Sequence, residues 1–566
     1  MNPELLGIHA FVDGLVAGGL RRAVLSPGSR NTPLILALDE HPGVRTYSAI
    51  DERSAAFFAL GLARSLGEPV LICCTSGTAA ANYHPAVLEA FWSRIPLVVV
   101  TADRPPWLRE VGANQVVRQA ALYGSQVKWF AELPLPGRSP ERASSAAATA
   151  AKAVALASAA PAGPVHLNLP LAEPLLPPRR EDVAADLARV RAPRLCLPPP
   201  PPVSRAAGWE LERALEAAER PLLILGPNTD LGLAAALRSF ARRAHLPLCA
   251  DVLSQARVGG SGGIALGHYD LLLSCAPQLF PAPDLVLHLG APPTSAALGA
   301  FLSERPCRTF VLDSAPSFRD PHALATDVLV GDLRPWLARA RASAGDRARA
   351  WTELWVWADQ QAGRAVRSAC SGWSEGAAIR AFAQALPPAA QVVLGNSRPI
   401  RDADALVWWK SGQRVFANRG ASGIDGVLSS ALGCAAGSAL PTYLCIGDVS
   451  FLHDVGALAW AAQLQLQLTV LLIQNGGGAI FHHLAQASRP EQLPLFTTPH
   501  GTDLGQVARA FGAAHRPVHS LPELRRAVKH PSTAPLTVLE AAFPPEQSVQ
   551  MYRELRAALA SQLARP

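Results

Sequence analysis

Asp448 and Asn475 stand 27 residues apart, and each lies just past an apolar run. The first run is Tyr443 to Ile446, followed by Gly447; the second, in VLLIQNGGGAIF, ends at Asn475. A strand–helix–strand unit of this length brings a carboxylate and a carboxamide to neighbouring strand ends. Both are hard oxygen donors suited to Mg²⁺ or Ca²⁺, and a Mg²⁺ with few protein ligands usually also holds phosphate oxygens. The glycines after Asn475 allow a sharp turn and offer a carbonyl as a further ligand. Gly447, and a helix beginning after Ser450, are expected to supply N–H groups to the phosphate. The duller alternative is that Asp448 caps a helix and the glycines form a tight turn.

These turns need elements to hold them. Apolar strands followed by Gly- or polar-rich turns and helical stretches recur along the chain, as in RRAVLSPGSRNTPLILALDE, EPVLICCTSGTAAANYHPAVLEAF and IPLVVVTADRPP. The alternation predicts an α/β protein of doubly wound parallel sheets covered by helices. With 566 residues the chain exceeds one core. Five consecutive prolines, Pro198 to Pro202, read as an extended linker that cannot enter a helix or sheet ladder. Three domains are expected, at 1–190, 200–345 and 370–566, with a long Trp-containing helical stretch from Trp336 to about Gln361 between the last two. Ligands in such sheets sit beyond the carboxyl ends of the strands. Glu52, in SAIDERSAAF, follows a strand and opens a helix, where an acid is also favourable through the helix dipole.

Hydrophobic residues make up 49% and charged residues 17%, a globular composition. The net charge of +7 comes mostly from arginine, the only lysines being Lys128, Lys152, Lys410 and Lys529. The arginines are interspersed with acids rather than gathered in a stripe, which disfavours a nucleic-acid partner and suits small anions. Nine scattered cysteines without a C-x-x-C pair argue against a zinc site or a disulfide scaffold and for a reducing cytoplasm. The 18 uncharged residues from Gly456 to Ile473 approach spanning length, but Gln463, Gln465 and Gln467 interrupt them. A buried helix leading into a buried strand fits better, so no membrane span is expected.

GDVSFLHD followed by the Asn-Gly turn resembles the diphosphate-binding motif of thiamine-diphosphate enzymes. The resemblance implies pyrimidine-binding, central and diphosphate-binding domains in that order. It implies thiamine diphosphate with Mg²⁺ (or Mn²⁺), the metal held by Asp448, Asn475 and the Gly477 carbonyl. It also implies that Glu52 touches N1′ of the aminopyrimidine and serves as the catalytic acid–base. The active unit would be a homodimer or a dimer of dimers, because paired domains come from different subunits in that family.

Six further segments narrow the resemblance: SPGSRNTPL, TSGTAAAN, TADRPP, GANQ, GNSRPIRD and NRGASGIDG. Together they are similar to the 2-succinyl-5-enolpyruvyl-6-hydroxy-3-cyclohexene-1-carboxylate synthases of menaquinone biosynthesis, which join 2-oxoglutarate to isochorismate with loss of CO₂. Both substrates are dianions, and guanidinium forks bind carboxylates bidentately. The resemblance implies that Arg401, Arg419 and Ser397 lie near the oxo acid, and that Ser29, Arg30, Arg104, Asn114 and Gln115 lie near isochorismate. It puts Ile424 under the bent cofactor, with Gly447, Ser450 and Ile480 also at the cofactor and Phe481 and Leu484 forming an apolar wall. One departure stands out: Ala296 and Ala297 occupy positions where a lysine is expected. Two alternatives remain, another thiamine-diphosphate decarboxylase or carboligase and a non-catalytic protein of the same fold. GPNTDLG lacks G-x-G-x-x-G spacing, so no dinucleotide is expected in the central domain.

Overall fold

The structure is a computed structural model that describes residues 5–137, 139–260, 263–316, 318–341 and 345–564. The outer ends of the expected domains, at 1 and 566, lie outside these residues. Its strands form three six-stranded sheets whose pairings are parallel. The first holds Arg22–Leu25 (β1), Arg45–Ser48 (β2), Val70–Cys74 (β3), Leu97–Asp103 (β4), Phe130–Glu132 (β5) and Val165–Pro170 (β6), in the order β2-β1-β3-β4-β6-β5. The second holds Pro221–Leu225 (β7), Leu248–Ala250 (β8), Ala265–Leu266 (β9), Leu285–Leu289 (β10), Arg308–Asp313 (β11) and Asp327–Val330 (β12), in the order β12-β11-β10-β7-β8-β9. The third holds Ala390–Leu394 (β13), Gln413–Phe416 (β14), Thr442–Gly447 (β15), Leu468–Gln474 (β16), Ala514–Val518 (β17) and Leu536–Ala542 (β18), in the order β14-β13-β15-β16-β18-β17.

The inner strands are mostly apolar because helices cover both faces. β3, β4 and β6 are buried throughout, as are β7 and β13. The chain reverses direction across the first sheet between β1 and β3, and across the third between β13 and β15. Such switch points open a crevice at the carboxyl ends of the strands. That geometry places the turns after β1, β3, β13 and β15 where ligands are received.

Two compact units divide the chain. One comprises residues 1–199, 418–439 and 453–466; the other comprises 200–417, 440–452 and 467–566. Within the first unit, helix Glu52–Leu66 packs closely on helix Val427–Ala436. The approach relies on glycine: a Cβ on Gly61 would lie 2.0 Å from the Ser430 carbonyl oxygen, and one on Gly433 would lie 2.0 Å from that of Phe58. Within the second unit, one apolar core joins side chains from the central and third sheets, with Trp355 and Phe382 among its largest members.

Two expectations change. The helical stretch over Trp336 to Gln361 is two helices, Arg334–Arg339 and Asp346–Ala369, the second starting behind Gly345. The proline run is free of helix, yet its end pairs with a sheet edge: Asp332 N–H donates to the Pro201 carbonyl (2.8 Å) and Val203 N–H to the Asp332 carbonyl (3.1 Å). Proline lacks a donor but keeps its acceptor, so an edge position tolerates it. Gly456 to Ile473 resolves into a 3-10 turn, helix Leu458–Gln463 and β16, and among the described residues no helix is long and apolar enough to cross a membrane. No disulfide links cysteines among the described residues.

Candidate active site

β15 and β16 pair in register from Thr442↔Leu468 to Gly447↔Ile473, so Asp448 and Asn475 emerge at the same sheet edge. Helix Asp448–His453 begins at the carboxylate itself, which corrects the expected start after Ser450. Ser450 is buried in that first turn. Asp448 is 2% exposed, and backbone donors fix it. Its Oδ2 accepts from the N–H of Asn475 (3.1 Å) and Gly477 (2.9 Å), and its Oδ1 from its own neighbour Val449 (2.7 Å). Burial raises the carboxyl above the usual aspartate range, opposed by these N–H groups and by His500. His500 Nε2 lies 3.5 Å from Asp448 Oδ2.

Asn475 is also buried, and its Oδ1 has no partner among the described residues. Its Nδ2 donates to Glu375 Oε2 at 3.3 Å. Gly476 and Gly477 have φ of +79° and +147°, and a Cβ on Gly477 would lie 2.2 Å from the Thr497 carbonyl oxygen. Only glycine turns the chain there. The Gly477 carbonyl accepts from Ala479 N–H at 2.9 Å and retains a second lone pair. Among the described residues no group of three His, Cys, Asp or Glu side chains forms a metal cluster. The donor set is one carboxylate, one carboxamide and one carbonyl. An orphaned buried carboxamide oxygen, hard donors and a glycine cradle fit a small divalent cation that keeps part of its shell for phosphate oxygens.

β13 leads into Gly395-Asn396-Ser397, at the same switch point. Ser397 has φ +71° and ψ −125°, a conformation that side chains other than hydrogen rarely adopt. It caps helix Arg398–Leu406, and the exposed Arg401 donates to its carbonyl at 2.8 Å. Ile480 and Phe481 are half-buried in the 3-10 turn Ala479–His483, with the Phe481 ring 5.5 Å from that of Phe496, while Leu484 is exposed.

The first unit gathers the other expected residues. Glu52 opens helix Glu52–Leu66 behind the Asp51 cap, half-buried. Asp454 staples this helix: its carboxylate accepts from Ser54 Oγ (3.2 Å), Ser429 Oγ (2.8 Å) and Ser429 N–H (2.7 Å). Burial pushes Asp454 up to about 6. Arg30 is buried, donating to the Leu171 carbonyl (2.8 Å) and pairing with Glu173 (3.0 Å). Burial and the nearby Arg104 lower its pKa. Arg104 is half-buried and its Nε donates to the Asn114 carbonyl at 3.4 Å. Gln115, at φ +58°, donates to the Ser76 carbonyl at 2.8 Å. Ser29 and Asn114 are exposed. A cavity of about 500 Å³ in this unit is lined by Asp103, Arg109, Gly112, Ala113 and Gln119 among others, and by none of Ser29, Arg30, Arg104, Asn114 and Gln115.

Arg419 and Ile424 lie in a loop of this unit that Glu89 holds. The Glu89 carboxylate accepts from Gly420 N–H (3.0 Å) and Ala421 N–H (2.7 Å) and pairs with buried Arg64 (3.2 Å). Breaking a buried pair of this kind costs about 3–5 kcal/mol. Sequence reasoning missed Glu89, Arg64, Asp454, Glu375 and His500. A charged residue inside an apolar helical run, as Glu89 is in HPAVLEAFWS, was the available signal. In the central sheet, Ala296 opens helix Ala296–Ser303 behind the Ser295 cap, whose Oγ donates to Asp270 at 2.6 Å.

The comparisons with known proteins agree with this geometry. Residues 6–122 match the thiamine pyrophosphate enzyme N-terminal TPP binding domain, and residues 401–538 match the C-terminal TPP binding domain. The chain is 42% identical to the 2-succinyl-5-enolpyruvyl-6-hydroxy-3-cyclohexene-1-carboxylate synthase of Geobacillus kaustophilus, over 98% of each chain. It is 38% identical to the synthase of the same name from Chloroflexus aurantiacus, over 98% of this chain and 96% of that one. The crystal structure of benzoylformate decarboxylase from Polynucleobacter necessarius shares the fold at a TM-score of 0.72 and 18% identity, over 96% of this chain and 99% of that one. The chain therefore belongs to the thiamine-pyrophosphate-dependent family of 2-succinyl-5-enolpyruvyl-6-hydroxy-3-cyclohexene-1-carboxylate synthases.

Proposed function

We propose that this enzyme joins 2-oxoglutarate to isochorismate with release of CO₂, in menaquinone biosynthesis, using thiamine diphosphate and Mg²⁺ or Mn²⁺. The observation that carries the reading is the buried pair of Asp448 and Asn475 at one strand edge, with the Asn475 Oδ1 left for a ligand. Asp448, Asn475 and the Gly477 carbonyl hold the metal. Gly447, Ser450 and Ile480 line the diphosphate and thiazolium end, and Ile424 supports the cofactor's bend. Thiamine diphosphate, when bound, would supply a carbon acid whose deprotonated form is nucleophilic and an electron sink for decarboxylation.

The protein's own groups do the rest. Glu52 shares a proton with N1′ of the aminopyrimidine. Arg401, Arg419 and Ser397 bind and orient the dianionic oxo acid. Ser29, Arg30, Arg104, Asn114 and Gln115 bind isochorismate. Phe481 and Leu484 exclude water from the reacting carbon, which strengthens the charge interactions there. Residues 1–190, 200–345 and 370–566 serve as the pyrimidine-binding, central and diphosphate-binding domains of a homodimer or dimer of dimers in the cytoplasm.

The test supplies purified protein with thiamine diphosphate, Mg²⁺ and 2-oxoglutarate, with and without isochorismate, and follows CO₂ and product mass. Isochorismate-dependent CO₂ release with a succinyl adduct is expected. Faster turnover of pyruvate than of 2-oxoglutarate would replace the reading with another thiamine-diphosphate carboligase.

A further inference from the structure

Glu375 is a carboxylate without an evident reason to be buried. It occupies the first turn of helix Glu375–Ala385, where an acid gains its dipole benefit while remaining in water. Ser374 already caps that helix through Ala377 N–H, so the cap does not require Glu375. Yet Glu375 is 1% exposed, and burying a carboxyl group costs free energy unless something inside uses it. Among the described residues its side chain has one hydrogen bond, to the carboxamide of Asn475, 100 residues away, whose Nδ2 donates to Oε2 at 3.3 Å.

A carboxamide has two unlike ends. Its oxygen accepts or ligates, and its NH₂ only donates. Turned over, Asn475 would present two N–H groups to a cation and repel it. Backbone N–H groups hold Asp448 but not this side chain: among the described residues Asn475 Oδ1 has no partner, so the contact at Nδ2 is the one that distinguishes its two orientations. We infer that Glu375 is a positioning residue that accepts from Asn475 Nδ2 and so fixes the carboxamide with Oδ1 turned to the divalent cation; this rests on the reading of Asp448, Asn475 and Gly477 as metal ligands.

Charged groups also lie near Glu375. Arg398 and Asp402, on the helix that starts at Ser397, are its strongest charged neighbours, with Asp448 beyond Asn475. Arg398 pairs with Asp402, and Tyr552 from the C-terminal helix donates its hydroxyl to Asp402 at 2.8 Å. The Arg398 guanidinium also lies 4.7 Å from the centre of the Tyr552 ring. Groups that orient a metal's ligands in this way typically change metal affinity about 10–100-fold when removed.

The experiment titrates Mn²⁺ into the full-length protein with saturating thiamine diphosphate and reads free Mn²⁺ by electron paramagnetic resonance. Glu375→Met keeps the volume and removes the acceptor, and is expected to weaken Mn²⁺ binding about 10–100-fold. Glu375→Gln keeps an acceptor oxygen and is expected to stay within about 3-fold of wild type, a rescue that general packing damage would not produce. Asn475→Ala separates the two levels of inference. If Asn475→Ala is weak while Glu375→Met binds like wild type, Glu375 has no positioning role and the metal site stands. If both bind like wild type, the metal reading itself falls. Glu375→Gln as weak as Glu375→Met also overturns the inference, because charge rather than acceptance would then matter. Should Glu375→Met fail to fold, the Asn475→Asp background decides. There Glu375 faces a like charge, so adding Glu375→Gln should tighten Mn²⁺ binding; no change would show that the two side chains do not act on each other.

Discussion

The first and third sheets have the same strand order, second-first-third-fourth-sixth-fifth, and their strand ends carry different chemistry. After its first strand the one has Ser29-Arg30 and the other Ser397-Arg398, in both cases with the arginine buried. The helix that follows the third strand has an N-cap at Gly77, with φ +91° and ψ −142°, in the first sheet. That conformation recurs in the third sheet at Ser397, after the first strand. At the third strand end itself, the first sheet has Thr75-Ser76-Gly77 and no carboxylate, whereas the third has Asp448. The acid of the first sheet, Glu52, instead follows the second strand and is half-buried. On the proposed reading, one architecture serves two tasks: fixed oxygens in the third sheet to hold an ion, and a more accessible carboxyl in the first to move a proton. The central sheet, read from its β9 edge, has the third-second-first-fourth-fifth-sixth order common among dinucleotide-binding folds. At its first turn the backbones approach closely: a Cβ on Gly226 would lie 1.7 Å from the Ala291 carbonyl oxygen.

The comparison breaks most visibly at the two carboxylates. Glu52→Gln is expected to lower turnover by about 10²–10⁴-fold, the usual range for a lost acid–base group, with cofactor affinity little changed. Steady-state rates together with a cofactor titration check this; unchanged turnover would remove Glu52 from the chemistry. Asp448→Ala should act through binding instead. It should raise the thiamine diphosphate requirement on the order of 10–100-fold, partly offset by excess Mg²⁺, because a charged ligand and the acceptor of three N–H groups are both lost. Wild-type affinity in a metal titration would discredit the site.

Arg401→Ala sharpens the assignment of substrates. It should raise the KM for 2-oxoglutarate about 10-fold, the value of a charge-assisted contact, and leave that for isochorismate unchanged. An effect confined to isochorismate would exchange the two pockets.

A separate effect concerns stability in the first sheet. His166 is fully buried against Thr101, at 2.8 Å, and burial pushes it down to about 3. Its folded pKa lies below the unfolded value of about 6.5, so the unfolded chain takes up a proton that the folded one refuses. Stability is therefore lost as pH falls below about 6.5, by up to about 1.4 kcal/mol per pH unit until His166 itself titrates. Denaturant melts between pH 7 and 4.5 should show a shallower slope in His166→Gln than in wild type.

What could be read from the chain follows the range of each interaction. The Asp448–Asn475 pair was legible because one strand–helix–strand unit creates it, and apolar runs with a glycine turn mark that unit locally. The glycines themselves were legible because φ near +79° and +147° at Gly476 and Gly477 admits little else. Glu375, His500 and Asp454 were not, since each acts on a residue brought near only by folding: Glu375 reaches Asn475 across 100 positions, and Asp454 reaches Ser54 across 400. The helix start was misplaced by three residues because Asp448 passes from strand to helix without a loop. No turn residue separates the two elements, so periodicity alone could not locate the change.

The division of labour between the two sheets is tested most directly by deuterium exchange at C2 of bound thiamine diphosphate, followed by NMR in wild type, Glu52→Gln and Asp448→Ala at saturating cofactor and Mg²⁺. Exchange that is lost in Glu52→Gln and recovered in Asp448→Ala once the cofactor saturates is the expected result. Exchange that survives in Glu52→Gln, or that stays absent in a fully loaded Asp448→Ala, would contradict the assignment of proton transfer to the first sheet and ion binding to the third.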